Sequence, residues 1–293
     1  MIVMVLKFEP VYFYKVWGGN SFKRLYNYPT TENCGEAWGI SAHPHGSSIV
    51  KAGPYKGKSL RELYKSERQL FGNYSQPEFP ILVKLISASQ DLSIQVHPDD
   101  QYAKKFNSLG KDESWYIINT EPNTKINIGH HANSVLELED AIINDRLTTL
   151  LNYFPIKHGD MFYIKAGTIH AICGGTTLLE VQQSSDITFR LYDYNRLHNG
   201  KLRELHIKDA LKCIEVPDNK KWEPHENQYF IVDSLTNINK TKLSSNQHGD
   251  YIFILEGEGL FDDISVSSGD FIMVTADSEY TVEGDLKYKK IVF

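Results

Sequence analysis

The chain has 293 residues, 41% of them hydrophobic and 23% charged, values that are ordinary for a globular protein of one large or two modest domains. Its formal net charge of −6 disfavours a general nucleic-acid-binding role, since such proteins present an excess of basic side chains. No apolar run reaches the roughly 18 residues that a membrane-spanning helix needs. The apolar start lacks the basic region and the cleavage site of a signal peptide, and we interpret it as a first strand.

The three cysteines, Cys34, Cys173 and Cys213, have no paired spacing in the sequence. Unpaired cysteines are typical of reducing compartments, so we predict reduced thiols and a cytoplasmic protein. Cys173 follows His170 by three residues, which is compatible with a nucleophile beside a base. We interpret it instead as a partly buried structural thiol.

Helical spacing of apolar residues occurs in a few segments only. Ser59 and Glu62 have the spacing of a capping box at the start of the first segment. The predicted helices cover, in chain order, residues 59–72, 98–106, 134–154 and 204–214, the third with a candidate break near Asn144–Asp145.

The rest of the chain reads as short strands rich in β-branched and aromatic residues. After MIVMVLKFEP they are, in chain order, ILVKLISA, LSIQVH, SWYIIN, MFYIKA, TTLLEVQQ, ITFRLYDY, YIFILEGEGLF, FIMVTA and KYKKIVF. Many short strands separated by Gly- and Asp-bearing turns predict a sandwich or barrel of the jelly-roll kind.

A weak internal repeat relates residues 156–172 to residues 266–282. Both copies have an apolar residue, a Gly-Asp turn, an apolar strand and a second turn, and Gly-Asp is suited to a tight turn before a strand. The first copy ends in His170, whereas the second has Tyr280 at the corresponding position. The repeat predicts two related barrels, of which only the first keeps a polar ligand.

The stretch DLSIQVHPDD alternates between apolar and polar side chains, so its two faces differ. Alternation alone does not decide whether the polar face meets water or lines a site. The later Glu113, His170 and Arg190 favour a site, and we therefore expect Leu92, Ile94 and Val96 to pack outside a barrel wall. The opposite face carries three polar side chains, namely Ser93, Gln95 and His97.

A divalent metal site needs a few nitrogen and oxygen donors that converge in a protected cavity. Gln95 and His97 lie on one strand face, His170 follows FYIKAG, and Glu113 precedes SWYII. A His–Glu–His set with Gln95 as a fourth donor suits a first-row metal and leaves positions open for water or substrate.

Other histidines are equally ligand-like by composition, notably His43 and His45 in SAHPHGSS and the pair His130–His131. A histidine in a strand is also commonly a hydrogen-bonded or surface residue. Glu113, like most glutamates, could equally be exposed to solvent. Spacing alone therefore does not choose among these sets.

Arginine side chains recur in the strand-like stretch LLEVQQSSDITFRLYDYNR. Arg190 is suited either to fixing a phosphate or stabilising an oxyanion, or to a structural pair with a carboxylate, as with Arg196 and Asp193. Lys111, two residues before Glu113, is likewise either a phosphate contact or a solvated turn residue. The sequence has no P-loop and no GxGxxG motif, so nucleotide binding has no support.

Taken together, LSIQVHPDD, GKDESWYII, KAGTIHAI, LLEVQQSSDITFRLYDYNR and the early CGEAWGISAHPHGSS resemble the type I mannose-6-phosphate isomerases, specifically their short bacterial branch. The resemblance covers essentially the whole chain in order. It implies a mainly β fold of two cupin-type, jelly-roll β-barrels with a few helices inserted in and flanking the first. It implies a catalytic metal-binding domain over 1–225 and a small C-terminal cupin-like domain without metal ligands over 226–293.

The resemblance also implies roles for particular residues. One Zn²⁺ per chain would be bound by Gln95, His97, Glu113 and His170. Ser93 and Lys111 would contact the substrate phosphate, and Lys84 would be a further substrate-binding residue near the pocket. Arg190 would be catalytic. Glu180, ten residues earlier, would either transfer the proton or orient a ligand, and one of His43 and His45 would be available to open the sugar ring.

The implied activity is the interconversion of D-mannose 6-phosphate and D-fructose 6-phosphate through a metal-stabilised cis-enediol. Three alternatives stay open, namely an isomerase of a related hexose phosphate, a bicupin that only binds a sugar phosphate, and an iron oxygenase. The motif GKDESWY departs from the common GKTECWY, and Asp112 beside Lys111 would weaken phosphate attraction if both face the pocket. The expected partner is a small hexose phosphate, and the expected state is a monomer or small homo-oligomer.

Overall fold

Short β-strands dominate the structure, a computed structural model that describes residues 4–218 and 227–293. Residues 1–3 of the predicted first strand and the predicted domain boundary at residues 225 and 226 lie outside the described residues. Within the described ranges, no helix has the length and apolar character needed to cross a membrane.

The strands of the N-terminal part are β1 (Val5–Glu9), β2 (Val11–Gly19), β3 (Cys34–His43), β4 (Gly46–Ser47), β5 (Ile49–Ala52), β6 (Ile81–Ala88), β7 (Ile94–Val96), β8 (Glu113–Thr120), β9 (Lys125–His130), β10 (Leu151–Pro155), β11 (Met161–Ile164), β12 (His170–Ile172), β13 (Thr176–Gln183), β14 (Phe189–Tyr192), β15 (Leu197–His198) and β16 (Lys201–Leu202). Those of the C-terminal part are β17 (Ile231–Asn237), β18 (Lys240–Ser244), β19 (Asp250–Phe261), β20 (Ile264–Ser267), β21 (Phe271–Val274), β22 (Glu279–Glu283) and β23 (Leu286–Val292). The helices are α1 (Ser21–Tyr26), α2 (Leu60–Ser66), α3 (Asp100–Ala103), α4 (Val135–Ile143) and α5 (Ile207–Cys213), with 3-10 turns at Arg68–Phe71, Lys104–Phe106 and Leu147–Leu150.

Each predicted helical segment contains a helix, but each helix is shorter than its segment. The capping box is confirmed, because the Ser59 side chain accepts the Glu62 N–H and the Glu62 carboxylate accepts the Ser59 N–H. The prediction of helix over 134–154 is confirmed for Val135–Ile143 and, after the predicted break, for a 3-10 turn at Leu147–Leu150, but it is wrong from Leu151 onward. Asp145 adopts a left-handed conformation (φ 54°) at the predicted break, and the chain then enters β10, which pairs with β9. Helix α1 was missed.

Two sheets pack face to face to form the first barrel. One has five strands in the order β10-β9-β12-β7-β14, and the other has seven in the order β11-β8-β13-β6-β2-β3-β4. Buried side chains of both sheets, such as Ile126 and Ile172 on one side and Ile117 and Leu178 on the other, form the core between them. The mainly β, jelly-roll fold is as predicted.

The polar face of β7 points into this barrel, as predicted from the later Glu113, His170 and Arg190. Ile94 and Val96 pack outside, against the helix residues Leu138 and Ala210. Leu92 is the exception, since it belongs to the inner core. It precedes β7, so it escapes the strand's alternation.

The nine strands of the C-terminal sheet include two from the start of the chain. Strand β1 pairs with β21 on one side and with β5 on the other. The C-terminal barrel is therefore completed by residues of the predicted 1–225 unit, and the division at 225/226 stays a prediction.

The two copies of the repeat form the same turn. Gly159 and Gly269 both have positive φ, at 90° and 92°. The following aspartate accepts a backbone N–H three residues earlier in both copies, Asp160 from Lys157 and Asp270 from Ser267. In the second copy, Tyr280 takes the position of His170, where it is buried and donates to Asp250.

A buried lysine joins the two barrels. Lys289 of β23 donates to Ser234, and its ammonium lies 3.7 Å from the centre of the Tyr116 ring of β8. Burial lowers the pKa of Lys289 to about 8, against a smaller opposing effect of Asp233. The unfolded chain therefore binds this proton over a pH range in which the folded protein does not.

We predict that Lys289→Met changes how stability depends on pH. Between about pH 8 and about pH 10.5 the unfolded state binds more protons, so the wild-type free energy of unfolding rises with pH relative to the variant. Urea unfolding at a series of pH values measures the difference. Lys240→Met, at an exposed position, is the control. A wild-type minus K289M difference that stays constant with pH contradicts the prediction.

Candidate active site

Three neighbouring strands of the five-stranded sheet place polar side chains in one row. His170 of β12 pairs with Gln95 of β7, and Gln95 pairs on its other side with Arg190 of β14. His97 follows Gln95 by two residues and shares its face. Glu113 comes from the opposite sheet, at the start of β8. The four predicted ligands therefore meet between the two sheets, where His97, Glu113 and His170 are each 1% exposed.

The donor atoms of His97, Glu113 and His170 lie at the mutual distances that ligands of one metal ion have. Nε2 of His97 lies 3.2 Å from Nε2 of His170. One oxygen of the Glu113 carboxylate lies 3.5 Å from Nε2 of His97, and the other lies 3.4 Å from Nε2 of His170. The side-chain amide nitrogen of Gln95 is 3.3 Å from Nε2 of His170. A tetrahedral centre with bonds of about 2.1 Å has donor–donor edges of about 3.4 Å, so the two histidines and the glutamate fit a small divalent cation.

Both histidines present the same nitrogen to this cluster. Nδ1 of His97 lies 2.8 Å from the carbonyl oxygen of Ile187, and Nδ1 of His170 lies 2.9 Å from that of Thr168. Each Nδ1 therefore donates, which leaves the Nε2 lone pair for a metal. Burial, followed by the Lys111 ammonium, lowers the pKa of His97 well below its ordinary value and that of His170 to about 3. Neutral imidazole is the form that binds metals.

A side-chain cation already lies against these donors. Nζ of Lys111 is 2.8 Å from Nε2 of His97 and 2.7 Å from the Glu113 carboxylate. Ser93 lies at the same end of the site and donates to the Gln95 carbonyl at 3.2 Å. The donors thus accept a positive charge, as a metal site requires. The predicted phosphate contacts of Lys111 and Ser93 stay predictions, and the structure places both residues beside the ligands.

Glu180 and Lys84 form a buried ion pair next to this cluster. They are cross-strand neighbours on β13 and β6, with 3.0 Å between Nζ and Oε1, and Lys111 lies 3.6 Å from the same oxygen. Burial and the nearby Glu113 raise the pKa of Glu180, against the opposing effect of Lys84. Burial alone lowers the pKa of Lys84, yet Glu180 and then Glu36 raise it above its ordinary value.

Glu36 of β3 is a member of the site that the sequence analysis missed. Its carboxylate accepts a hydrogen bond from Trp38 at 2.7 Å and lies 3.9 Å from Lys84 and 3.3 Å from Lys15. Burial raises the pKa of Glu36, but the two lysines and Trp38 outweigh it and hold this pKa at about 2. The available signal was a lone glutamate within an otherwise apolar stretch, CGEAWGI.

A cavity of about 440 Å³ opens onto this network. Aromatic side chains of Phe13, Trp17 and Trp38 form part of its wall. Six of the predicted site residues line it, namely Lys84, Ser93, Gln95, Lys111, Glu180 and Arg190. The other three, His97, Glu113 and His170, lie behind Gln95 and Lys111. The volume suits a small, polar organic ligand.

Asp112 does not face this cavity, although it is next to Lys111 in sequence. Its carboxylate accepts the Tyr163 hydroxyl and the Ala166 N–H, and it lines a different cavity. Asp112 and Lys111 therefore do not both face the pocket, and Asp112 is not expected to weaken the attraction of Lys111 for a phosphate.

The alternative histidine sets are less suited to a buried metal. His43, His45 and Asp186 also approach one another, with His45 Nδ1 at 2.5 Å from Asp186, but the side chain of His45 is 70% exposed and that of Asp186 37%. His130 is a structural residue, since its Nε2 lies 3.1 Å from the carbonyl oxygen of Glu215. His45 and Asp186 lie at the rim of the 440 Å³ cavity.

The interpretation of Cys173 as a structural thiol agrees with its surroundings. Burial, followed by Asp91, raises the pKa of this thiol to about 12, so it stays protonated at neutral pH. A thiol in that state is a poor nucleophile.

Comparison with known proteins identifies the family. The model of "Phosphomannose isomerase type I, catalytic domain" matches residues 5–135. The chain is 40% identical to the mannose-6-phosphate isomerase ManA of Bacillus subtilis over 272 residues, which cover 87% of this chain and 86% of that one. It is 45% identical to the mannose-6-phosphate isomerase of Streptococcus mutans over 205 residues, 69% of this chain and 65% of that one. The crystal structure of the mannose 6-phosphate isomerase from Bacillus subtilis matches with a TM-score of 0.93 at 36% identity, covering 99% of this chain and 100% of that one. The chain belongs to the type I phosphomannose isomerase family.

Proposed function

We propose that this chain interconverts D-mannose 6-phosphate and D-fructose 6-phosphate through a cis-enediol, with one Zn²⁺ bound by His97, Glu113, His170 and Gln95. The observation that carries the proposal is the buried set of His97, Glu113 and His170 at metal-ligand spacing, with Gln95 next to it, beside a polar cavity. Two histidines and a glutamate are a common ligand set of catalytic zinc. The names of the relatives support the same reaction.

The metal would supply Lewis-acid polarisation of the sugar's C1 and C2 oxygens, which makes the C2 proton more acidic. A half-turn of the Gln95 amide would point its oxygen, the better metal ligand, at His170. The Lys111 ammonium contacts His97 and Glu113, which are two of the proposed metal ligands. Metal binding would displace the ammonium from these two side chains and leave Glu180, 3.6 Å away, as its partner. The predicted contact of Lys111 with substrate then becomes available.

Glu180 is our candidate for the base that removes the C2 proton and returns it to C1. It lines the cavity, and the ion pair with Lys84 holds its carboxylate in place. A raised pKa makes a carboxylate a stronger base while Lys84 keeps it ionised. The alternative is that Glu180 only orients Lys111 and, through it, the ligand set.

Arg190 would stabilise the negative charge that develops on the enediolate. Its guanidinium lines the same cavity, one strand away from Gln95. At the rim, His45 beside Asp186 is the candidate for opening the sugar ring.

A protein that only binds a sugar phosphate would need no base. The buried Glu180 in the cavity wall favours an enzyme, since buried carboxylates with shifted pKa cluster at catalytic sites. An oxygenase would require iron, and elemental analysis distinguishes it. The cytoplasmic location and the monomeric or small homo-oligomeric state stay predictions.

The activity itself is tested by a coupled assay with several hexose phosphates. We expect turnover of mannose 6-phosphate above that of the other hexose phosphates. Tight binding of mannose 6-phosphate without turnover would favour the binding protein instead.

For the metal, we predict that His97→Ala loses it. Removing one donor leaves Glu113 and His170 without a complete ligand set. Elemental analysis of the purified variant checks this, and His45→Ala, from the exposed histidine set, is expected to keep its metal. Full metal content in H97A would contradict the assignment.

Removal of the Arg190 guanidinium is expected to lower kcat by about 10²- to 10³-fold, the usual cost of one lost charge stabiliser. Metal content should not change, because Arg190 is not a ligand. Steady-state kinetics of Arg190→Ala, with elemental analysis alongside, measures both quantities, and unchanged kcat would refute the role.

Glu180→Gln keeps the shape of the side chain and removes its basicity. If Glu180 is the base, kcat falls by about 10²- to 10⁴-fold while metal content is retained. A variant that loses metal as well as activity would instead assign Glu180 to the orientation of the ligand set.

A further inference from the structure

Three arginines gather around one aspartate at the outer end of the cavity. Asp193 lies 2.6 Å from Arg196 and 3.1 Å from Arg203. The guanidinium of Arg190 lies near both of these arginines and donates to the carbonyl oxygen of Glu204 at 2.9 Å. Arg190 and Arg203 line the cavity, whereas Arg196 does not.

The carboxylates here do not balance the guanidiniums. Three arginines are opposed by Asp193 and by Glu204, the acidic side chains that act on the Arg190 charge. Burial, followed by the like charge of Arg203, lowers the pKa of Arg190. The buried Nε–H group of Arg190 has no acceptor among the described residues. Excess positive charge and a spare donor in a cavity wall suit an anion.

Sheet register places this end of the cavity at the right distance from the metal ligands. One backbone hydrogen bond joins Arg190 to His206, so the row runs from His170 through Gln95 and Arg190 to His206. Neighbouring strands lie about 4.8 Å apart, so the backbone of Arg190 is about 10 Å and that of His206 about 14 Å from His170 along this row. A hexose phosphate, with bonds of about 1.5 Å, measures about 9 Å from C1 to phosphorus, and the Arg203 guanidinium, close to that of Arg190, lies within reach of its phosphate oxygens.

His206 presents a donor at the same place. Its Nδ1 accepts the backbone N–H of Arg190 at 3.2 Å, which leaves Nε2–H as the free donor of the neutral ring. His206 lines the cavity together with Arg203. By contrast, Ser93 and Lys111 lie at the end of the cavity that holds the metal ligands, so a phosphate at His206 is an alternative to the phosphate contacts predicted for these two residues.

We propose that Arg203, with His206 beside it, anchors the phosphate group of the substrate at the outer end of the cavity. This assignment rests on the proposed function. It places C1 and C2 at the metal ligands and the phosphate two to three strands away, with Arg190 between them. The carboxylate of Asp193 holds the Arg203 guanidinium in position.

The test is the kinetics of Arg203→Ala with mannose 6-phosphate. Loss of a charge-assisted contact is expected to raise KM by about 10- to 100-fold with little change in kcat, because the phosphate is bound equally in ground and transition states. The inhibition constant of inorganic phosphate, used as a competitive probe, should rise by a similar factor. Arg203→Lys should recover part of both effects.

Arg196→Ala is the matched control, since Arg196 binds the same Asp193 from outside the cavity. We expect its KM to change by less than about 5-fold. Equal rises of KM in the two alanine variants, or an unchanged phosphate inhibition constant in R203A, would overturn the assignment. Absence of turnover in the wild type would instead refute the proposed function, so the two failures are distinguishable.

Discussion

The arrangement of the site depends on buried carboxylates that are paired with buried ammonium groups. Glu113 and Glu180 are almost fully removed from water, and Lys84 and Lys111 lie between and beside them. A buried charge without a partner is energetically costly. Removal of one member of a buried ion pair therefore destabilises the protein, because the other charge is left uncompensated. The ion pairs therefore hold each side chain in one position. They also leave carboxylates and ammonium groups in the cavity wall that can bind a metal ion or a charged substrate.

The two sheets of the first barrel contribute different kinds of side chain to the site. The five-stranded sheet carries the His170 imidazole, the Gln95 amide and the Arg190 guanidinium in one cross-strand row, and His97 follows β7 directly. The seven-stranded sheet supplies Glu113, Glu180 and Lys84, which face this row, and Lys111 lies just before its strand β8. Ligands and bases thus come from elements that are rigid and hydrogen-bonded on both sides, which is the condition for keeping reacting groups in register.

The stretch DLSIQVHPDD shows how far the sequence was informative. Its alternation correctly separated Gln95 from Ile94 and Val96 onto opposite faces, because a strand has a period of two. It misplaced Leu92, which precedes the strand. Whether the inner face met water or a site depended on Glu113 and His170, which are near only through the fold.

Features that arise from pairing between distant strands were beyond pattern reasoning. Glu36 looked like an isolated charge, since its partners Lys84 and Trp38 come from strand register. The choice among three histidine sets likewise depended on burial, which the spacing does not report. The resemblance to a family supplied the rest, including Glu180 and Lys84, which no local pattern singles out.

The most direct test of the account is the reconstitution of activity with metal. The purified protein is freed of metal with a chelator, verified by elemental analysis, and assayed with mannose 6-phosphate while Zn²⁺ is added in steps. The account predicts no turnover without metal and a rise that ends at one equivalent per chain. Full turnover by verified metal-free protein would contradict it.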